Sequence, residues 1–351
     1  MRSVWRIVRW TGAALLLLVA LLAARLLWPV YTPSIGGENS IAELATMTIG
    51  GVEQQLLIRG RDRSNPVLLR LHGGPGSSEM VFNRLHRELE EHYVVVTWDQ
   101  RGAGKSYDGN LDAASMNVEQ FVQDTNELAA KLKERFEQDS IYLMGYSWGT
   151  VPGIKAIQQQ PEHYAAYIAV SQVVNFEQNE ALGYAHLVEQ AEQDQDEERL
   201  DKLAELGRPP YRTLEQMEPF MLLVQEAGGS VHSPMPNSLL TLLKATELGW
   251  TDIVNMDKGA RFSLDAMLDQ VRAVKLDEES AEVDVPVYMI AGQHDLQANP
   301  ALAEAYFAKL KAPLKKLYLF DNSAHAPQYE EPERFIELLT EEILPEVERG
   351  R

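Results

Sequence analysis

Ile141-Tyr142-Leu143-Met144-Gly145-Tyr146-Ser147-Trp148-Gly149-Thr150 decides the fold. Four apolar residues read as a strand. A G-x-S-x-G turn follows, and Thr150 to Gln160 is compatible with a helix. In that context the serine sits on a turn so tight that small residues must flank it. Its hydroxyl then stands exposed at the carboxyl edge of a sheet. The pattern alone is common, so its weight depends on what surrounds it.

Upstream, Thr46 to Arg59 reads as a β-hairpin about Gly50-Gly51. Pro66 to Leu71 and Tyr93 to Trp98 read as strands, with a helix from Glu79 to Glu91 between them. Asn117 to Glu137 has helical apolar spacing. Downstream, Tyr167 to Val170, Val285 to Ala291 and Lys316 to Phe320 read as strands, and Pro332 to Leu344 as a closing helix. Strands alternating with helices predict a mostly parallel sheet covered on both faces. Ligands bind such sheets beyond the carboxyl ends of the strands. The rhythm breaks from Gln172 to about Glu282, a polar, helix-rich stretch that reads as an inserted cap. Its acidic run, Glu189 to Glu205, reads as a solvated helix face. The expected organisation is an N-terminal segment 1–31, a tether 32–45, a first core half 46–171, the cap 172–282 and a second core half 283–351.

Ser147 needs a base, because a serine hydroxyl is inert at neutral pH. The chain order expected for this turn is serine, acid, histidine. Asp295 follows the strand ending at Ala291, and His325 follows the strand ending at Phe320. Asp295 would orient His325, and His325 would take the serine proton and return it to the leaving group. Asp321 and His294 are the alternative acid and base. His72-Gly73-Gly74-Pro75-Gly76 follows another strand, and its glycines would let backbone amides approach an oxyanion. The expected donors are the amides of Gly74 and Trp148. Asp99 to Ser106 lacks P-loop spacing, since Gly102 and Gly104 enclose one residue rather than four. Asp99 and Arg101 are instead expected to brace the loops around the site.

The chain has 351 residues, eight His, no Cys and a net charge of -20. Disulfides and thiolate chemistry are excluded, and no metal-ligand spacing is present. The acidic balance argues against a nucleic-acid partner, which requires positive charge. Residues 1–30 hold four Arg and no acid. Thr11 to Tyr31 is apolar apart from Arg25, with Trp10, Trp28 and Tyr31 at its ends. This reads as a membrane-spanning anchor with the catalytic part outside the cytoplasm. A cleaved signal peptide, giving a secreted protein, is the alternative, with Leu22-Ala23-Ala24 a poor cleavage site.

These motifs together resemble the α/β-hydrolase superfamily, and within it the proline iminopeptidase-like branch. The resemblance rests on HGGPG at 72–76, WDQRGAGKS at 98–106, GYSWGT at 145–150, GQHD at 292–295 and His325, and extends from about Met47 to Leu344. It implies an eight-stranded sheet, a helical lid and a Ser147-Asp295-His325 triad. It also implies release of an N-terminal residue from short peptides without a cofactor. The family usually has glycine where Tyr146 stands, so Tyr146 is a candidate substrate contact. Its peptidase members hold the substrate ammonium with lid carboxylates; Glu177 and Glu180 are the candidates here. An esterase, lactonase or other amide hydrolase with the same triad is the alternative, and a non-catalytic membrane-tethered binding protein a third.

Overall fold

The computed structural model describes residues 9–13, 16–17, 19–20, 29–235, 238–279 and 282–350. Its centre is one eight-stranded sheet in the order β1-β2-β4-β3-β5-β6-β7-β8. The strands are β1 Ile41–Ile49, β2 Val52–Gly60, β3 Val67–Leu71, β4 Val94–Asp99, β5 Ile141–Tyr146, β6 Tyr164–Val170, β7 Val287–Gly292 and β8 Lys315–Phe320. β2 runs antiparallel to β1 and β4, and the other pairings are parallel. The hairpin turns at Gly50 and Gly51 as expected, both with positive φ. β1 begins at Ile41, inside the stretch read as a tether.

Both faces of the inner strands are buried, which explains their near-continuous apolar runs. Leu69, Val96 and Leu143 point to one face and pack with Phe121 and Leu128 of α1 (Val118–Arg135) and Val151 and Ile154 of α2 (Thr150–Gln159). Leu68, Val95 and Tyr142 point to the other and meet Phe335 and Leu339. Asn117 caps α1 by accepting from Gln120 N.

Between β6 and β7 come α3 (Phe176–Asp194), α4 (Glu197–Leu206), α5 (Leu214–Glu226), α6 (Ser238–Lys244) and α7 (Trp250–Arg272). Asn175, Asp196 and Thr213 cap the first three with side-chain oxygens. α3, α4, α5 and α7 share a small core of Leu187, Leu203, Phe220, Val224 and Leu268. α7 rests on the loop after β4. A Cβ on Gly259 would stand 2.4 Å from Gly102 O, Ser263 Oγ donates to that oxygen, and Lys105 pairs with Asp252 at 2.6 Å. The chain ends with α8 (Pro300–Lys309) between β7 and β8, then α9 (Pro327–Glu330), α10 (Pro332–Glu337), a π-helical turn at 338–343 and α11 (Leu344–Gly350).

The helix read at Glu79 to Glu91 is present as a run of 3₁₀ turns over Met80–Glu91, interrupted at His86 (φ -121°, ψ 27°). One expectation is corrected. The membrane anchor and the localisation built on it are not supported. A span needs about twenty residues in one apolar helix, and among the described residues no helix is long and apolar enough to cross a membrane. Residues 1–8, 14–15, 18 and 21–28 of that segment lie outside the described residues. Tyr31, read as an interfacial residue, instead donates its N–H to Thr246 O at 3.0 Å, and Arg59 Nη1 donates to Pro33 O at 2.7 Å. These contacts tie residues 31–33 to the folded chain.

Candidate active site

Ser147 lies at the carboxyl end of β5, in a tight 3₁₀ turn that leads into α2. Its φ is +51°, a left-handed conformation that costs a non-glycine residue about 1–2 kcal/mol. The flanking glycines have a steric cause. A Cβ on Gly145 would lie 2.6 Å from Gly149 O, and one on Gly149 would lie 2.3 Å from Leu71 O. The turn therefore fits no larger residue at either place, and it lifts the serine hydroxyl off the sheet edge.

β7 and β8 are neighbours, and each ends in a loop on the same edge. The first loop carries Asp295 and the second His325. The Ser147 hydroxyl donates to His325 Nε2 at 2.9 Å. His325 Nδ1 donates to Asp295 Oδ2 at 2.9 Å. Asp295 is 1% exposed, and its other oxygen accepts from the N–H groups of Gln297 (2.7 Å) and Ala298 (2.8 Å). Both carboxylate oxygens are thus held, and the imidazole tautomer follows: proton on Nδ1, lone pair on Nε2 toward the hydroxyl. The alternatives are placed elsewhere. His294 is exposed, stacks on His232 at 3.6 Å and contacts Asp321 O through Nε2 at 3.1 Å. Asp321 itself is exposed.

The glycine loop after β3 comes against the serine: a Cβ on Gly73 would sit 3.3 Å from Ser147 Cβ. Gly74, at φ +114°, and Trp148 both line the chamber that contains Ser147 and His325. His72 is fully buried and braces this loop. Gln100 N–H donates to its Nε2 (3.0 Å), so Nδ1 carries the proton and donates to Gly73 O (2.8 Å). Burial pushes its pKa down to about 4 and keeps the ring neutral. Arg101 grips Asp124 through two bonds, at 2.6 and 2.8 Å, and donates to Gly50 O. Asp99 Oδ2 accepts from Lys105 N at 2.8 Å. These contacts fix the loop after β4 against α1 and the β1–β2 turn, and none of them reaches the loops that carry Ser147, Asp295 or His325.

Two chambers meet at Ser147 and His325. One lies under the helices between β6 and β7, walled by Val151, Phe176, Met217, Phe220, Val271 and Leu296, with Glu180 among these apolar groups. The recorded contacts of Glu180 fall on one oxygen: Oε2 accepts from Tyr211 N (3.2 Å) and faces Arg272 Nη1 (3.5 Å). Among the described residues Oε1 has no partner. Burial raises the Glu180 pKa to about 7, against the opposing pull of Arg272. Glu177 does not line this chamber; it is partly exposed and pairs with Arg272 at 3.3 Å. Tyr146 belongs to the second chamber, its ring centroid 5.4 Å from that of His325.

Sequence reasoning missed Glu330. Its Oε1 accepts from Ala324 N (2.9 Å) and Ala326 N (3.2 Å), the amides on either side of His325. Its Oε2 accepts from His232 N (2.7 Å) and Ser233 N (2.8 Å) in the segment between α5 and α6. One buried carboxylate thus ties the histidine loop to that segment. Ser230 O and Gly229 O add to the clasp by accepting from His325 N (3.3 Å) and Leu296 N (3.0 Å). The available signal was an acid five residues past the candidate base.

A serine raised on a strand-to-helix turn, with an imidazole and a buried carboxylate from the next strand ends, places the chain in a class. It is a member of the α/β-hydrolase family: the profile of the alpha/beta hydrolase fold matches residues 66–332. Over 307 residues it is 33% identical to the Bacillus subtilis (strain 168) protein named "Probable aminopeptidase YbaC", covering 86% of this chain and 96% of that one. It is 27% identical over 281 residues to a proline iminopeptidase of Clostridioides difficile (strain 630), covering 78% and 88%. The solved structure of a proline iminopeptidase-related protein from Thermus thermophilus superposes with a TM-score of 0.56 at 21% identity, over 86% and 96% of the two chains. The resemblance read from the motifs is borne out.

Proposed function

We propose that the protein is a serine hydrolase of the proline iminopeptidase type, which releases the N-terminal residue of a short peptide or amide through an acyl-enzyme. The observation that carries this reading is the unbroken relay from Ser147 through His325 to Asp295, each link at 2.9 Å. In this reading Nε2 of His325 takes the serine proton as Oγ attacks the carbonyl. Asp295 stabilises the imidazolium, and the amides of Gly74 and Trp148 hold the oxyanion. His325 then protonates the leaving amine, and water frees the acyl group by the same steps in reverse order. The helices of segment 172–282 act as the cap and keep bulk water and long folded chains from the carbonyl. Glu180 supplies the anionic contact for the substrate ammonium, its Oε1 lying among apolar walls that suit a proline ring or an aliphatic side chain.

A second reading keeps the mechanism and changes the substrate to an ester, lactone or other amide. The apolar chamber favours it, because Arg272 already offsets part of the Glu180 charge. Rates on proline-naphthylamide and a p-nitrophenyl ester separate the two. The aminopeptidase reading expects turnover of the amide; turnover of the ester alone would refute it.

A further inference from the structure

We infer that the second chamber is the leaving-group subsite and that it takes a neutral aromatic or aliphatic group while disfavouring a free carboxylate. The inference rests on the aminopeptidase reading and deepens it.

In acyl transfer the two halves of the substrate leave the reacting carbonyl in different directions. The apolar chamber with Glu180 accounts for the acyl half and its ammonium. The second chamber opens from the same Ser147 and His325 but shares few walls with the first. Phe82, Tyr146 and Tyr329 supply aromatic faces. The rings of Phe82 and Tyr329 lie 4.8 Å apart, and Tyr146 meets Tyr329 edge-on at 6.4 Å. Val231 and Met235 close the outer side from the segment that Glu330 clasps. Such a wall suits an aryl amine or the side chain that follows the scissile bond.

Charge sets the second half of the specificity. Glu79 is the acid of this chamber, and it is almost fully buried. It accepts from Tyr329 Oη at 2.7 Å and pairs with buried Arg70 at 3.3 Å. Burial raises its pKa while Arg70 opposes the rise. Among the described residues lining the chamber, none is Lys or Arg. A substrate carboxylate entering here would lose water without gaining a cation, because no Lys or Arg lines the chamber and buried Arg70 pairs with Glu79. An amide-blocked or longer chain has no such charge at that position.

The test uses the full chain and three substrates sharing one N-terminal residue X, chosen as the fastest of a panel: X-Phe-amide, X-Gly-amide and X-Phe with its free carboxylate. The expected order of kcat/KM puts X-Phe-amide first, roughly tenfold above each of the others. Phe82→Ala should shrink the Phe-amide to Gly-amide ratio by roughly the same factor. Met235→Ala, a change at a partly exposed position, should shrink it in the same direction and covers the case in which Phe82→Ala fails to fold. An unchanged ratio in the folded variants, or faster cleavage of the free acid, overturns the subsite. Wild-type protein that labels at Ser147 yet cleaves no member of the panel would instead remove the aminopeptidase reading, and the subsite with it.

Discussion

Glu180→Gln separates the two substrate readings, and the expected effect follows from the chamber itself. Glutamine keeps the shape and an acceptor oxygen but removes the charge. Oε2 is held by Tyr211 N–H and Arg272, while Oε1 has no partner among the described residues and is the contact assigned to an ammonium. Hydrogen bonds to charged groups contribute about 1.5–3 kcal/mol, so kcat/KM for an amino-terminal substrate should fall about 10- to 150-fold. An ester with the same side chain but no amino group should lose little, because Arg272 keeps Glu177 and Tyr211 O as partners. The pH dependence gives a second readout. Ammonium binding needs ionised Glu180, whose pKa burial raises to about 7. The contact is therefore present above pH 7 and lost as pH falls through it. Between pH 7.5 and pH 6, KM for the amine substrate should rise several-fold relative to the ester. The ratio cancels any pH effect on the acyl-transfer steps, which both substrates share. The assay is initial-rate kinetics of the matched pair on wild type and variant. Equal losses on both substrates, or none on either, would refute the assignment of Glu180.

Further outcomes follow from the same geometry. Ser147→Gly should abolish turnover yet raise the urea midpoint slightly, since glycine removes about 1 kcal/mol of strain at φ +51°; a lower midpoint would show that the turn is not strained. Asp295→Asn should cut kcat by about 10⁴ with the fold intact, and a loss under tenfold would show that another group orients His325. Glu330→Gln should lower kcat about 10- to 100-fold with KM little changed, because an amide group would face two of the four N–H donors. A shift confined to KM would contradict its role in positioning His325.

Much of the architecture was legible because its determinants are local. Gly145 and Gly149 are fixed by contacts of 2.6 and 2.3 Å within the turn and to the adjacent strand, so the motif reports the turn wherever it occurs after a strand. Asp295 and His325 were found because acids and bases on this sheet stand just past strand ends. What escaped depends on long-range packing. Nothing near Glu180 in sequence shows that Arg272 would lie beside it, or that Glu177 would turn away from the chamber. Glu330 draws two of its four donors from residues 232 and 233, almost a hundred positions away. The helix read at Glu79 to Glu91 gave no sign of the break at His86, whose Nε2 contacts Gln328 O far along the chain. For the N-terminal segment, composition suggested a span that the described residues do not support.

The most direct measurement is the site and rate of labelling by a fluorophosphonate probe, mapped by mass spectrometry in wild type and His325→Gln. The relay at 2.9 Å predicts a single adduct on Ser147, formed at least about a hundredfold more slowly without the imidazole. Modification at another residue, or labelling of Ser147 at the same rate in both proteins, would contradict the convergence of Ser147, His325 and Asp295 as the source of activity.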